Sequence, residues 1–361
     1  MNFKYTIDPA YLKYIDTHPF TDTPLNLTNK IDKHKYFRHK AGDQIDALTD
    51  YLKKNQVVIY MLAPKFAGKG VYSGLLRELF PGLFEHISVG DLIREFPKTY
   101  AQDKENLLKA LEKLYRGPMP LKEVIDLVLN PDPTKLVPDE FILALLKYKI
   151  SQMDKKSLIL DGFPRTQDQV YYALLFRDLI DYRDDKDIFL FINIPFEVID
   201  LRAKYRVVCP ECKLSRNTKM LLTEIVEYDK DSGQFYLVCD NPQCKGYKKQ
   251  RLYAKPGDEL GIKAYLPRIK NDLKLMEFAR NLHGISRIEL YNAVPADFIG
   301  KHIQDYEVTP FYEFEATDSG VKITSKPWTF QMDGVDYVSF LAPAVGLQLI
   351  RQLFEIAGLA G

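Results

Sequence analysis

The 361-residue chain has no run of apolar residues approaching the roughly 18 that cross a membrane, and its opening stretch MNFKYTIDPAYLKY has no apolar leader core. A cytoplasmic protein with no membrane partner is expected. An excess of either charge is also lacking, since 50 Lys and Arg stand against 49 Asp and Glu for a formal net charge of +1. With no global field to draw in nucleic acid, none is expected as a partner, and any anion site must come from local clusters. Cysteine is scarce: the four residues all lie between Cys209 and Cys244, which excludes a general disulfide framework. The six histidines are scattered without triad or metal spacing and read as structural. Internal repeats and low-complexity tracts are absent. What remains is ordinary globular composition, 46% apolar and 27% charged, with length for one large or two moderate domains.

The stretch around which the chain is organised runs from Gln56 to Phe80. QVVIYML is apolar without alternation, as in a strand buried on both faces. APKFAGKG follows as a glycine-containing loop ending at Lys69 and Gly70, and VYSGLLRELF places Leu75, Leu76 and Leu79 at helical spacing. Strand, loop and helix in this order make a mononucleotide-binding unit, because successive backbone N–H groups and a helix N-terminus form an anion cradle. Lys69 adds a point charge. The loop departs from the pattern GxxxxGK followed by Ser or Thr at Ala63 and at Gly70. Taken alone, it reads equally well as a plain strand-to-helix turn.

Further apolar strands are predicted at KSLILD (156–161), IFLFINI (188–194) and ISRIELY (285–291), alternating with helices. That alternation implies a parallel sheet covered on both faces, with ligands at the C-terminal strand ends, where the Lys69 loop, Asp161 and a turn at Gly90 fall. Upstream, GDQIDALTDYLKK (42–54) predicts an amphipathic helix, and the basic run KIDKHKYFRHK (30–40) reads as solvated surface. SVGDLIRE predicts a helix from Asp91, a polar helical region runs from Tyr100 to Tyr115, and a proline-punctuated segment through Pro133 leads to a helix start at Pro138. Arg202 and Arg206, spaced i and i+4, are expected on one helix face. Beyond Tyr306, turn signals at Asp318-Ser319-Gly320 and Asp333-Gly334 predict a small antiparallel unit, and a closing helix is expected over 343–357.

The cysteines form Cys209-x2-Cys212 and Cys239-x4-Cys244, with 26 residues between the pairs. Four thiolates so spaced can enclose a tetrahedral Zn²⁺, reduced free thiols or a disulfide being the alternative. A turn at Asp231-Ser232-Gly233 predicts a hairpin between the two knuckles.

DGFPRTQDQ (161–169), SVGDLIRE (88–95), VPDE (137–140) and RAKYRVVCPEC (202–212) stand in order around the loop, and the series resembles the adenylate kinase family of nucleoside monophosphate kinases. The resemblance covers roughly residues 56 to 300. It implies a P-loop α/β fold of three layers, α/β/α, with a parallel central sheet, a helical acceptor-binding insertion and a zinc-ribbon-like lid, to which the antiparallel unit read beyond Tyr306 adds a small C-terminal β-rich part without a family counterpart. The implied divisions are an N-terminal extension (1–55), a kinase core (56–202 and 265–304), the acceptor insertion (88–140), the lid (203–264) and a C-terminal extension (305–361).

The resemblance also implies roles. ATP and a nucleoside monophosphate, AMP favoured, are the implied partners, with Mg²⁺ accompanying ATP and structural Zn²⁺ on Cys209, Cys212, Cys239 and Cys244. The donor is assigned to Ala63, Ala67, Gly68, Lys69, Gly70, Val71, Arg202 and Arg206. The acceptor is assigned to Val89, Arg94, Gly162, Arg165 and Gln169, whose amide would read the base. Transfer would rest on Lys69, Arg165, Arg202, Arg206 and Arg268, with Asp161 holding Mg²⁺ through water. Departures are Phe66 for a flexible glycine, Val71 for threonine, Val89 for the acceptor threonine, and Lys255 and Gly257 where RxDD would stand, leaving Asp258. A kinase is therefore expected, the alternatives being a degenerate nucleotide-binding sensor or scaffold without turnover, or a kinase for another nucleoside monophosphate, CMP or UMP. The chain is expected to be a monomer whose terminal extensions are candidates for partner contacts.

Overall fold

The computed structural model describes residues 4–131, 137–180, 185–318 and 320–360. Ser319 of the predicted hairpin turn and Pro133 of the proline-punctuated segment lie outside them. A single turn, α1 (Leu12–Ile15), precedes the long α2 (Lys30–Leu52), which Asn29 caps by accepting from the Ile31 and Asp32 N–H groups. The helix thus begins at Lys30, well before the predicted Gly42. Its basic first half is only partly solvated, for Tyr36, Phe37 and Lys40 are buried, and the backbone kinks at Ala41 (φ −152°, ψ 25°). The aromatic residues interspersed among the lysines supply an inward face that the charge count conceals.

Next, β1 (Val57–Leu62) leads through a loop into α3 (Lys69–Leu79), and β2 (Phe84–Ser88) runs directly into α4 (Val89–Gln102). Helices α5 (Lys104–Leu114), α6 (Leu121–Leu129) and α7 (Asp139–Ser151) follow. The predicted turn at Gly90 is absent: Ser88 caps α4 through the Asp91 N–H, so the helix starts at Val89. The region from Tyr100 to Tyr115 is broken at Asp103, which separates α4 from α5. Then come β3 (Ser157–Asp161), α8 (Gln167–Leu179), β4 (Lys186–Asn193) and α9 (Phe196–Lys204).

The segment beyond α9 forms short antiparallel strands: β5 (Arg206–Val208), β6 (Ser215–Asn217), β7 (Ile225–Asp229), β8 (Gln234–Val238) and β9 (Tyr253–Ala254). The chain returns to the core through α10 (Leu266–Arg280) and β10 (Ser286–Tyr291). It closes with β11 (Ala293–Pro295), β12 (Pro310–Thr317), β13 (Gly320–Pro327), β14 (Thr329–Met332), β15 (Val335–Ser339) and α11 (Ala342–Ile356).

The central sheet is parallel, in the order β10-β4-β1-β3-β2. All six residues of β1 are buried, and alternate side chains enter different cores. Val57, Ile59 and Met61 pack with α2, α3 and α11, whereas Val58, Tyr60 and Leu62 pack with α7, α8 and α10. Both sheet faces are covered, which makes the fold a three-layer α/β/α sandwich. A separate apolar cluster joins α4, α5, α6 and α7 through Phe96, Leu111, Val124 and Phe141. No helix among the described residues is long and apolar enough to cross a membrane.

The C-terminal strands form two units: β11-β15-β14, and the hairpin β12-β13. The hairpin reaches the cysteine-bearing segment, where the Tyr312 N–H donates to the Lys219 carbonyl at 2.8 Å and the Phe314 ring lies 5.4 Å from that of Phe235. The β7-β8 hairpin turns where expected, with Gly233 at φ 68°.

Candidate functional site

The site gathers at the C-terminal ends of β1 and β3, the strands flanking the point where the sheet order reverses. The loop after β1 takes Phe66 to φ 68° and Gly68 to φ 98°, and Gly68 caps α3. Glycine suits position 68 for a second reason: a Cβ there would lie 3.3 Å from the Tyr72 ring and 3.6 Å from the Arg202 guanidinium. Phe66 has no such licence and holds a left-handed conformation at a cost in conformational energy.

Lys69 bends back over the loop, donating to the carbonyls of Ala63 at 3.0 Å and Pro64 at 3.4 Å. Burial lowers its pKa, while Asp161 and Asp272 oppose that effect. Together with Gly162, Arg165, Arg268 and Asp272, Lys69 lines a small cavity between the loop and α10. Arg165 is also held below its ordinary value, by burial first and then by Arg268. Gly162 is required where it stands, since its φ is 82° and a Cβ would approach Arg165 Nη2 to 2.7 Å. Asp161 ends β3 beside Met61 of β1 and Ser88 of β2.

Across the β2–α4 junction, Val89 is buried in the first turn of α4, and Arg94 is exposed and paired with Asp91. The Gln169 amide is already engaged. Its oxygen accepts from the Arg165 N–H at 2.7 Å, and its nitrogen donates to Asp139 at 2.6 Å. Gln169 therefore braces the DGFPRT loop against α7. Val71, by contrast, lies on the outer face of α3 with 51% exposure.

Arg202 and Arg206 do not share a helix face. Helix α9 ends at Lys204 with Tyr205 as its cap, and Arg206 opens β5. Arg202 donates to the carbonyls of Phe66 and Ala67, both at 3.2 Å, and to Asn292 at 3.3 Å. Arg206 forms a two-pronged pair with Asp258, at 2.7 and 3.0 Å, and the Asp258 side chain is wholly buried. An i, i+4 spacing predicts a shared face only while the helix persists, and here it ends between the two residues.

Three residues that the sequence reading did not single out belong to the same place. Asp272 lies one helical turn beyond Arg268, a spacing that could have revealed it. Burial raises its carboxyl pKa against the pull of Lys69 and Arg268. The Lys65 ammonium sits 3.3 Å over the Tyr265 ring, and burial, Arg268 and Arg206 lower its pKa to about 8. Tyr265 donates its hydroxyl to Asp258 at 2.5 Å.

The four cysteine sulfurs lie within 4.8 Å of one another, with Cys209 to Cys244 at 3.9 Å and Cys212 to Cys239 at 3.7 Å. Tetrahedral thiolates at a Zn–S distance of about 2.3 Å stand roughly 3.8 Å apart, so the donor set fits zinc, and the separations are far beyond a disulfide bond. Lys213 at φ 61° and the Gly246 N–H donating to Cys244 Sγ at 3.3 Å turn the backbone around the sulfurs.

A three-layer sandwich with a glycine-containing loop and convergent cations at its strand ends defines a class of α/β proteins with an anion-accepting crevice at the C-terminal ends of the sheet strands. Comparison with known sequences narrows that class. The chain is 33% identical over 156 residues to an adenylate kinase of Syntrophomonas wolfei, covering 43% of this chain and 61% of the relative. With an adenylate kinase of Clostridium kluyveri it shares 34% over 164 residues, 45% and 64% of the two chains. With one of Chlamydia pneumoniae it shares 33% over 168 residues, 46% and 67%. No family model matches the chain. The chain belongs to the adenylate kinase family, and its match spans a little over three fifths of the length of the first two of these relatives.

Proposed function

We propose that the protein transfers the γ-phosphoryl group of ATP to a nucleoside monophosphate, most simply ATP and AMP to two ADP. In that reaction the bond from the γ-phosphorus to the β–γ bridging oxygen breaks, and a new bond forms to an oxygen of the acceptor's phosphate, with no redox change. The observation carrying this reading is the convergence of Lys69, Arg165 and Arg268 on one cavity beside the loop after β1. Phosphoryl transfer asks chiefly for positioning and charge neutralisation, and these cations meet that demand.

In this reading residues 63–71 cradle the donor phosphates, Lys69 swings from the loop carbonyls onto them, and Arg206 reaches them from the lid side. Arg94 exchanges Asp91 for the acceptor phosphate, which Arg165 clamps from the opposite side. Arg202 acts through the loop backbone, and Gln169 acts by holding Arg165. Asp161 offers the hard carboxylate oxygen that would hold Mg²⁺ through water, a cation that neutralises charge on the phosphates. The four cysteines would hold structural Zn²⁺ and leave no open coordination position for chemistry. The proposed units are a core of 56–202 and 265–304 containing the acceptor insertion 88–140, a lid of 203–264, and terminal extensions 1–55 and 305–361.

A coupled assay of ADP formation from ATP with AMP, CMP, UMP and GMP tests the proposal and names the acceptor. Turnover is expected with at least one of them. Nucleotide binding without turnover on any acceptor would overturn the kinase reading in favour of a sensor.

A further inference from the structure

The loop after β1 is fastened to the base of the lid by a closed ring of side chains. The Phe66 ring packs edge-on against Tyr265, with centroids 5.1 Å apart and planes at 66°. The Arg206 guanidinium carbon sits 4.8 Å from the Phe66 centroid. Arg206 grips Asp258 through Nε and Nη2, and the Tyr265 hydroxyl closes the circuit on the same carboxylate. Phe66, Arg206, Asp258 and Tyr265 thus each touch two others, joining the loop, the first lid strand and the turn that leads back into α10.

Two facts indicate that this contact is more than filler. Phe66 holds a φ of 68°, which a phenylalanine does not adopt without a compensating interaction. Its own carbonyl, moreover, accepts from Arg202, so the residue is held by its backbone from α9 and by its ring from Arg206. The ring covers one face of the Arg206 guanidinium while Asp258 takes the Nε and Nη2 edge. Among the described residues that leaves the Nη1 edge to meet an anion.

We propose that Phe66 is a positioning residue for the donor nucleotide. Its ring orients Arg206 so that the free guanidinium edge meets the phosphates, and it ties the loop's conformation to that of the lid. The ring thereby does from the loop tip what a flexible residue could not, since a glycine there would relieve the backbone and release Arg206. The inference rests on the donor-site reading above.

The test uses the full chain and its variants Phe66→Leu, Phe66→Tyr, Arg206→Lys and the double variant Phe66→Leu with Arg206→Lys. Calorimetry with the non-hydrolysable β,γ-methylene analogue of ATP, and separately with AMP, reads the two sites without turnover. Phe66→Leu keeps apolar bulk but loses the cation–π face, so analogue binding is expected to weaken about 3- to 30-fold. AMP binding is expected to stay within about 2-fold, and Phe66→Tyr should behave like the parent because its ring keeps the same face. In the Arg206→Lys background, Phe66→Leu should add little. Equal weakening of donor and acceptor, or full additivity with Arg206→Lys, would overturn the inference.

Urea unfolding of the ligand-free variants separates the two readings. A parent chain that binds no nucleotide removes the donor-site reading and the positioning role with it, yet coupling between Phe66 and Arg206 would still be measurable as a fastening of the loop. Nucleotide binding with no coupling between the two residues removes the Phe66 role and leaves the kinase reading intact.

Discussion

Lys40 and Glu307 face each other at 3.5 Å with neither side chain reaching solvent. The pair joins α2 to the segment before the C-terminal hairpin. Glu307 accepts from the Thr17 hydroxyl, the Tyr36 hydroxyl and the Gln304 N–H, each at 2.7 Å. The Lys40 ammonium donates to the carbonyls of Thr17 at 2.6 Å and Pro19 at 2.9 Å, and burial lowers its pKa. Removing one member strands the other's charge in the core, so Lys40→Met is expected to destabilise the chain by about 3–5 kcal/mol in urea unfolding. A loss below about 1 kcal/mol would mean that the pair behaves as a solvated one.

His86, on β2, should make the fold acid-sensitive. Its pKa is lowered from 6.5, mainly by burial, with Asp161, Asp91 and Glu85 opposing and Arg77 assisting, and its Nε2 is buried without a hydrogen-bond partner among the described residues. Below pH 6.5 the unfolded imidazole takes up a proton that the folded one resists. The unfolded state then binds more protons, and stability falls as pH drops from about 6.5 toward the folded pKa. His86→Gln should flatten this part of the stability–pH curve, as read from urea midpoints across the range. An unchanged slope would assign the acid sensitivity to other groups.

In the cation cavity, Lys69→Ala is expected to lower kcat about 10²- to 10³-fold, as the loss of a preorganised charge does elsewhere. Asp272→Asn should act in the opposite sense on binding. Its carboxylate shares the cavity with the three cations, and neutralising it removes a repulsion on incoming phosphate, so KM for ATP should fall several-fold. A rise in KM would instead make Asp272 the organiser of Lys69 and Arg268.

For the cysteine cluster, metal analysis should find a single zinc per chain. Chelation or Cys209→Ser should lower the melting temperature, because binding energy at such a site is folding energy. Cys209 and Cys239 are buried against Leu237 and Leu252, so the loss is expected across this apolar cluster as well as at the metal. A chelated chain with an unaltered melting curve would show that the thiols need no ion.

Much of the fold was legible because its signals are local. QVVIYML, KSLILD and IFLFINI are short apolar runs, and each became a central strand within two residues of its expected bounds. The cysteine spacing pointed to one cluster, and the sulfurs do lie within 4.8 Å of one another. The candidate site was less legible. Gln169 carries the expected residue type, but its amide is committed to Arg165 and Asp139, partners that sequence spacing cannot assign. Lys40 appeared as one more charge in a basic run, because its partner stands 267 positions away.

By itself, the sequence determined the parallel sandwich, the order of its motifs and the residue types suited to phosphate and to zinc. Periodicity and spacing act over a few residues, and hydrophobic burial follows them. Only the tertiary structure decided that α9 ends before Arg206, that Phe66 accepts a left-handed backbone, and that the two meet over Asp258 and Tyr265. Those outcomes depend on which distant side chains arrive at one point, where packing and charge pairing outweigh the local preference of each residue.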